Sequence, residues 1–140
     1  MIKNERQYKI TKSQIAKFEA ALDELAARSG AKSRLRKLEE DSLQSQLDEL
    51  RNEVKQYEQL QSGGRKPIHI DSFDELPRAL VEARIVAGLS QKDLAERLEL
   101  KEQQIQRYEA TDYCSASLTR LKEIAKALGV NIVGKMTYSG

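Results

Sequence analysis

Residues 83–110 read ARIVAGLSQKDLAERLELKEQQIQRYEA, and the fold turns on how this stretch divides. Gly88 stops one apolar rhythm, in which Leu76, Leu80, Ala83 and Val86 or Ala87 share a helix face. Ser90 then stands where a helix cap belongs, with Asp93 three positions on as a short relative of the capping-box acid. The pattern predicts a helix over Gln91 to Leu98 that turns Leu94, Ala95 and Leu98 inward. A tight turn at Glu99-Leu100 follows, and a further helix opens at Lys101 or Glu102. Two short helices joined by such a turn make a helix-turn-helix arrangement.

The last of these helices is two-sided. Counting roughly 100° per residue from Glu102, Gln106, Gln103 and Arg107 fall near about 40°, 100° and 140°. Gln104, Tyr108, Ile105 and Glu109 take the opposite arc, so Ile105 and Tyr108 face the body of the domain. Four long hydrogen-bonding side chains therefore point outward together. Glutamine sets a donor beside an acceptor, which matches the major-groove edge of adenine, and the arginine fork matches that of guanine. Glu102 can accept from the cytosine amino group.

Outward along the chain, Leu118, Leu121, Ile124, Ala125 and Leu128 mark one more helix, capped by Ser115 or Ser117 and ended by Gly129. Residues 71–77 carry a helix start, with Ser72 or Asp74 as cap and Pro77 near the first helical positions. The tail from Val130 to Tyr138 reads as a strand with Val130, Ile132, Met136 and Tyr138 on one face. Its ladder partner would be a second copy or the short alternating run Ile68-His69-Ile70. His69 itself reads as a solvated or edge-strand residue, since no second His or Cys stands near it.

Ser62-Gly63-Gly64-Arg65-Lys66-Pro67 breaks any helix and marks a boundary. Before it, Ile15, Phe18, Leu22 and Leu25 give one helix from about Thr11 to Ala27, ended by Ser29-Gly30. Leu43, Leu47, Leu50, Val54 and Tyr57 give a heptad seam on a second, from about Ser33 to Gln61. The short connection makes them an antiparallel hairpin of unequal arms, roughly 25 Å and 43 Å long. Leu35 and Leu38 lie off the seam and are expected to face the other helix near the turn. The unmatched end of the longer arm, with Val54, Tyr57 and Leu60, wants a neighbour: a second copy, the other domain or a different protein. The domains expected are thus 1–62, a linker over 63–73, and 74–140.

Composition narrows the function. Of 140 residues 39% are hydrophobic and 33% charged, which suits helices with narrow apolar stripes. Net charge is only +2, so any nucleic-acid contact has to be local. A single cysteine, Cys114, excludes an internal disulfide and fits a cytoplasmic setting. No run of 18 apolar residues spans a membrane, and MIKNERQYKITK lacks the apolar core of an export signal. There is no phosphate-binding glycine loop, no metal-ligand cluster and no credible triad, so neither enzyme activity nor a metal or cofactor is expected.

The residues from Ala83 to Val130, ARIVAGLSQKDLAERLELKEQQIQRYEA and then SLTRLKEIAKALGV, resemble the Cro/repressor-type, or Xre-like, helix-turn-helix family over about a third of the chain. The resemblance implies a mainly α, lambda-repressor-like five-helix domain, here preceded by the hairpin and followed by the short strand. It implies that Gln91 meets the DNA backbone, that Ala95 lets the two helices cross closely, and that Ile105 anchors the reading helix. Positions matching Glu102, Gln103, Gln106 and Arg107 reach base edges. Arg84 and Glu109 match a pair that forms a buried ion pair. Further backbone contacts are expected from Lys92, Lys101 and Gln104 and from the hydroxyls of Tyr113, Ser115 and Ser117.

The sequence departs from the family pattern in three ways. Glu99 stands where the family usually has glycine. The loop 110–115 lacks basic residues and carries Asp112. Residues 75–140 hold ten Lys/Arg against nine Asp/Glu, a net of +1.

Three readings follow. The first is a sequence-specific DNA-binding repressor that acts as a homodimer on an inverted repeat, dimerising through the hairpin seam (Leu43, Leu47, Leu50, Val54, Tyr57), the tail (Ile132, Met136, Tyr138) or both. The second is an antitoxin that holds a toxin protein through the hairpin and represses their shared operon. The third is a helix-turn-helix fold used only to bind protein.

Overall fold

The computed structural model describes residues 1–28 and 34–140. The expected end of the first helix at Ser29-Gly30 and start of the second at Ser33 lie outside these residues. Six α-helices and one single-turn 3-10 segment are present, and no strand occurs among the described residues. The chain divides into two compact units, Met1–Ser62 and Gly63–Gly140.

The first unit is α1 (Glu5–Ala27) and α2 (Arg34–Ser62). Helix α1 begins six residues earlier than its apolar stripe suggests. Asn4 is the cap: its side-chain oxygen accepts the Gln7 N–H at 2.8 Å, while the Gln7 side chain accepts the Lys3 N–H at 2.9 Å. These bonds satisfy donors that a helix start otherwise leaves open. The extra turns bring Tyr8 onto the seam, where its ring lies 5.2 Å from that of Tyr57 and its hydroxyl donates to Glu58. Glu19 pairs with Arg51 at 2.9 Å farther along. Thr11 occupies a buried seam position because its hydroxyl donates to the Gln7 carbonyl at 2.9 Å.

This packing uses part of the expected dimer surface within one chain. Leu47 and Tyr57 are already buried inside one chain, at 2% and 6% exposure, and Leu43, Leu50 and Val54 are half-buried. At the far end of α2 Tyr57 packs against Tyr8, and Ile2 is 3% exposed, while Val54 and Leu60 are half-buried. Leu35 and Leu38, expected to face the other helix, are instead exposed.

The second unit has four α-helices and the 3-10 turn Phe73–Glu75, rather than five helices: α3 (Leu76–Val86), α4 (Gln91–Arg97), α5 (Glu102–Ala110) and α6 (Leu118–Leu128). Residues 73–75 form a single 3-10 turn that leads directly into α3. Leu80, Val81, Ile85, Leu94, Ala95, Ile105, Ile124 and Leu128 form the core, drawing on all four α-helices. Gly88 and Gly129 stop α3 and α6 at φ +72° and +70°, a left-handed conformation that glycine adopts without steric cost.

The expected tail strand is not formed. Residues 130–140 have no regular secondary structure, and Ile132, Val133, Met136 and Tyr138 are exposed. The reason is that a strand is stabilised by a ladder, and none of the described residues supplies one. The tail instead borders an 830 Å³ groove over α3, opposite Pro67–Asp71.

Leu47 offers a direct check on the first unit. Leu47→Ala should destabilise it by about 2–5 kcal/mol, seen as a lower urea midpoint in far-UV circular dichroism. An unchanged midpoint would mean that the α1–α2 seam does not bear on stability.

Candidate nucleic-acid interface

Helix α4 is started by Ser90, whose hydroxyl accepts the Asp93 N–H at 3.0 Å while Asp93 accepts the Ser90 N–H at 2.9 Å. Those bonds hold the Asp93 carboxyl below the ordinary carboxylate range, the backbone bond contributing most. The carboxylate's share of the cap is therefore present above the ordinary carboxylate range and is lost as pH falls through its depressed value, while the Ser90 hydroxyl keeps the Asp93 N–H. Helix α4 closes at Leu98, and the Leu100 N–H returns to the Ala95 carbonyl at 2.8 Å. Ala95 is 1% exposed, so only a small side chain suits this crossing. Between them Glu99 has φ +56°. A residue with a Cβ pays about 1 kcal/mol in that region, which is why glycine suits the position.

Helix α5 is fixed from behind. Ile105 is fully buried, and Glu109, one helical turn on, is 1% exposed. The Glu109 carboxylate accepts from Arg84 twice, from Nε at 2.7 Å and from Nη2 at 2.8 Å. The remaining arm of Arg84 donates to the Leu89 carbonyl at 2.9 Å. Gln91 Nε2 completes the cluster with a 2.8 Å bond to Glu109 Oε1. One carboxylate on α5 thus binds side chains from α3 and α4 and sets the angle of the exposed face.

Glu102, Gln103, Gln106 and Arg107 are all exposed on that face, together with Gln104 and the flanking Lys101. Gln106 Nε2 approaches Glu102 Oε1 at 3.5 Å, too long to hold either side chain against a competing acceptor. Gln104 donates weakly to the Tyr108 hydroxyl at 3.4 Å. Lys92 on α4 is exposed as well.

Other expected contacts are placed differently. Gln91 is 4% exposed with its amide committed to Glu109, so it serves the buried cluster rather than the surface. Tyr113 is 4% exposed: its ring stacks on Tyr108 at 5.7 Å, and its hydroxyl is buried with no hydrogen-bond partner among the described residues. It cannot present that hydroxyl to a phosphate. Burial, and secondarily the Glu109 carboxylate, push its phenol above the ordinary tyrosine value. Two consecutive left-handed residues, Asp112 at φ +51° and Tyr113 at φ +56°, fold the loop back so that the Tyr113 N–H reaches the Tyr108 carbonyl at 2.7 Å. Ser117 caps α6 by accepting the Arg120 N–H at 3.0 Å. Ser115 and Cys114 remain exposed in the loop. The signal for Tyr113 lay in its distance of five residues from Tyr108, which suits a helix-terminating turn.

Two substitutions check this geometry. Arg84→Ala should cost about 3–5 kcal/mol, because Glu109 is left charged and buried, while Arg84→Met with Glu109→Leu should recover most of the loss. Equal melting temperatures for wild type and Arg84→Ala would contradict the role given to the pair. Glu99→Gly should raise stability by about 1 kcal/mol in chemical denaturation by relieving the left-handed strain. A lower denaturation midpoint for that variant would rule out the strain.

No curated protein and no solved structure matches the chain. A family model does: residues 80–134 match the helix-turn-helix family. The match runs from within α3 through α4, α5 and α6 into the tail. Over residues 80–134 the chain is therefore similar to the helix-turn-helix family of the Cro/repressor, or Xre-like, type.

Proposed function

We propose that the chain is a sequence-specific DNA-binding transcription regulator whose α5 enters the major groove. The observation that carries this reading is the division of α5. Glu102, Gln103, Gln106 and Arg107 face solvent, while Ile105, Tyr108 and Glu109 are locked into the core. Glutamine and arginine are the side chains with bidentate complements on adenine and guanine, and a helix of this width fits the groove. Lys92, Lys101, Gln104 and Ser115 are exposed at the margins, where phosphates would lie.

The regulator acts as a homodimer that represses by occupying an inverted repeat, with two α5 helices about 34 Å apart. The tail supports dimerisation better than the α1–α2 seam does. Leu47 and Tyr57 of the seam are buried within one chain, whereas Ile132, Met136 and Tyr138 are exposed at 59%, 95% and 103%. Two such tails could pair with one another and bury those side chains.

Selection of preferred sites from a random duplex pool tests the reading, with stoichiometry measured on the winner. Gln103→Ala and Arg107→Ala should each relax preference at one base pair by about 1–3 kcal/mol. A uniform loss across all sequences would reassign those side chains to phosphate. Failure to enrich any duplex would remove the DNA-reading function.

A further inference from the structure

Residues 1–18 hold five cations, Lys3, Arg6, Lys9, Lys12 and Lys17, against one acid, Glu5. The imbalance stands out in a chain whose total net charge is +2. Three of the cations share a face. At 100° per residue Arg6, Lys9 and Lys17 fall within about 80° of one another, opposite the seam of Tyr8, Thr11, Ile15, Phe18, Leu22 and Leu25. Ser13, Ala16 and Ala20 fill the same face with short side chains that leave it open. Lys12 flanks it, its ammonium 5.2 Å from the Tyr8 ring centroid.

Arg6, Lys9, Lys12 and Lys17 are exposed, and no ion pair among the described residues uses them. Elsewhere Arg28, Arg36, Arg51, Arg78 and Arg120 each meet a carboxylate. Glu5 lies beside the stripe, and Glu24 is the first acid on the stripe's own face beyond Lys17.

We propose that this face of α1 grips the phosphate backbone of duplex DNA, an inference that rests on the DNA-reading role of α5. The stripe runs about 16 Å from Arg6 to Lys17, long enough to meet several phosphates of the duplex. A protein partner fits less well, because anchors for protein binding are large aromatic or aliphatic side chains. Ile10, at the stripe's edge and 48% exposed, is the one such residue there. The reading domain also needs help: residues 75–140 are nearly neutral, and Asp112 stands in the loop after α5. The first unit supplies the sequence-independent attraction that the second lacks.

The test is the salt dependence of the full chain binding a mixed-sequence duplex of about 30 base pairs, followed by fluorescence anisotropy from about 50 to 200 mM KCl. Each phosphate contact adds about 0.9 to the slope of log affinity against log salt. Arg6→Gln with Lys9→Gln and Lys17→Gln should make that slope shallower by about 2–3, with helix content unchanged in circular dichroism. Arg34→Gln with Lys37→Gln and Lys55→Gln removes the same charge from α2 and should leave the slope within about one of wild type. An unchanged slope in the α1 variant overturns the stripe while leaving DNA reading intact. Equal losses in both variants also overturn it, by showing that only net charge matters. If the α1 variant keeps its slope but loses an acidic protein that copurifies with wild type, the stripe serves that protein instead. Absence of any duplex binding by wild type at low salt brings down both the stripe and the DNA-reading function.

Discussion

The bidentate pair between Arg84 and Glu109 is the constraint on which the exposed face of α5 depends. Net stability is not its main contribution: two buried charges lose much of their mutual attraction to desolvation, and apolar side chains of the same volume often do as well. Its contribution is orientation. A guanidinium and a carboxylate joined by two parallel hydrogen bonds have one good geometry. Gln91 and the Leu89 carbonyl fill the remaining sites, so three helices and the turn between α3 and α4 agree on one position for Glu109. Because Glu109 is on α5, the rotation of α5 about its own axis is set. Exposure of Gln103, Gln106 and Arg107 follows from that setting.

Much of the second unit was legible in the sequence because its signals are local. Ser90 with Asp93, Gly88 and Gly129 are caps and stops whose chemistry acts within four residues, and Ile105 and Tyr108 follow the helical period. The start of α1 was equally local and was missed, since Asn4 and Gln7 precede the apolar stripe instead of opening it. That oversight carried into the seam: without Tyr8 and Ile2 in place, Tyr57 looked unpartnered. The tail failed for a different reason. Alternation in Ile132, Met136 and Tyr138 describes what a strand would bury, and it cannot supply the second strand.

Errors at the candidate site follow one pattern. The family resemblance sends Gln91 to the DNA backbone and the hydroxyl of Tyr113 suggests a phosphate contact, whereas both side chains are committed inward. A polar side chain says what it can bond, and only three dimensions say whether the bond is already taken. The outward set on α5 escaped this problem because helical phase, fixed by Ile105 and Glu109, decides it independently of chemistry.

The loop that follows α5 has a practical consequence. Cys114 is the only cysteine of the chain and is exposed, four residues after the end of the reading helix. A thiol-reactive fluorophore or spin label would attach there and nowhere else, with no engineered mutation. The chain thus offers a native spectroscopic handle close to the surface where occupancy of α5 should change the local environment.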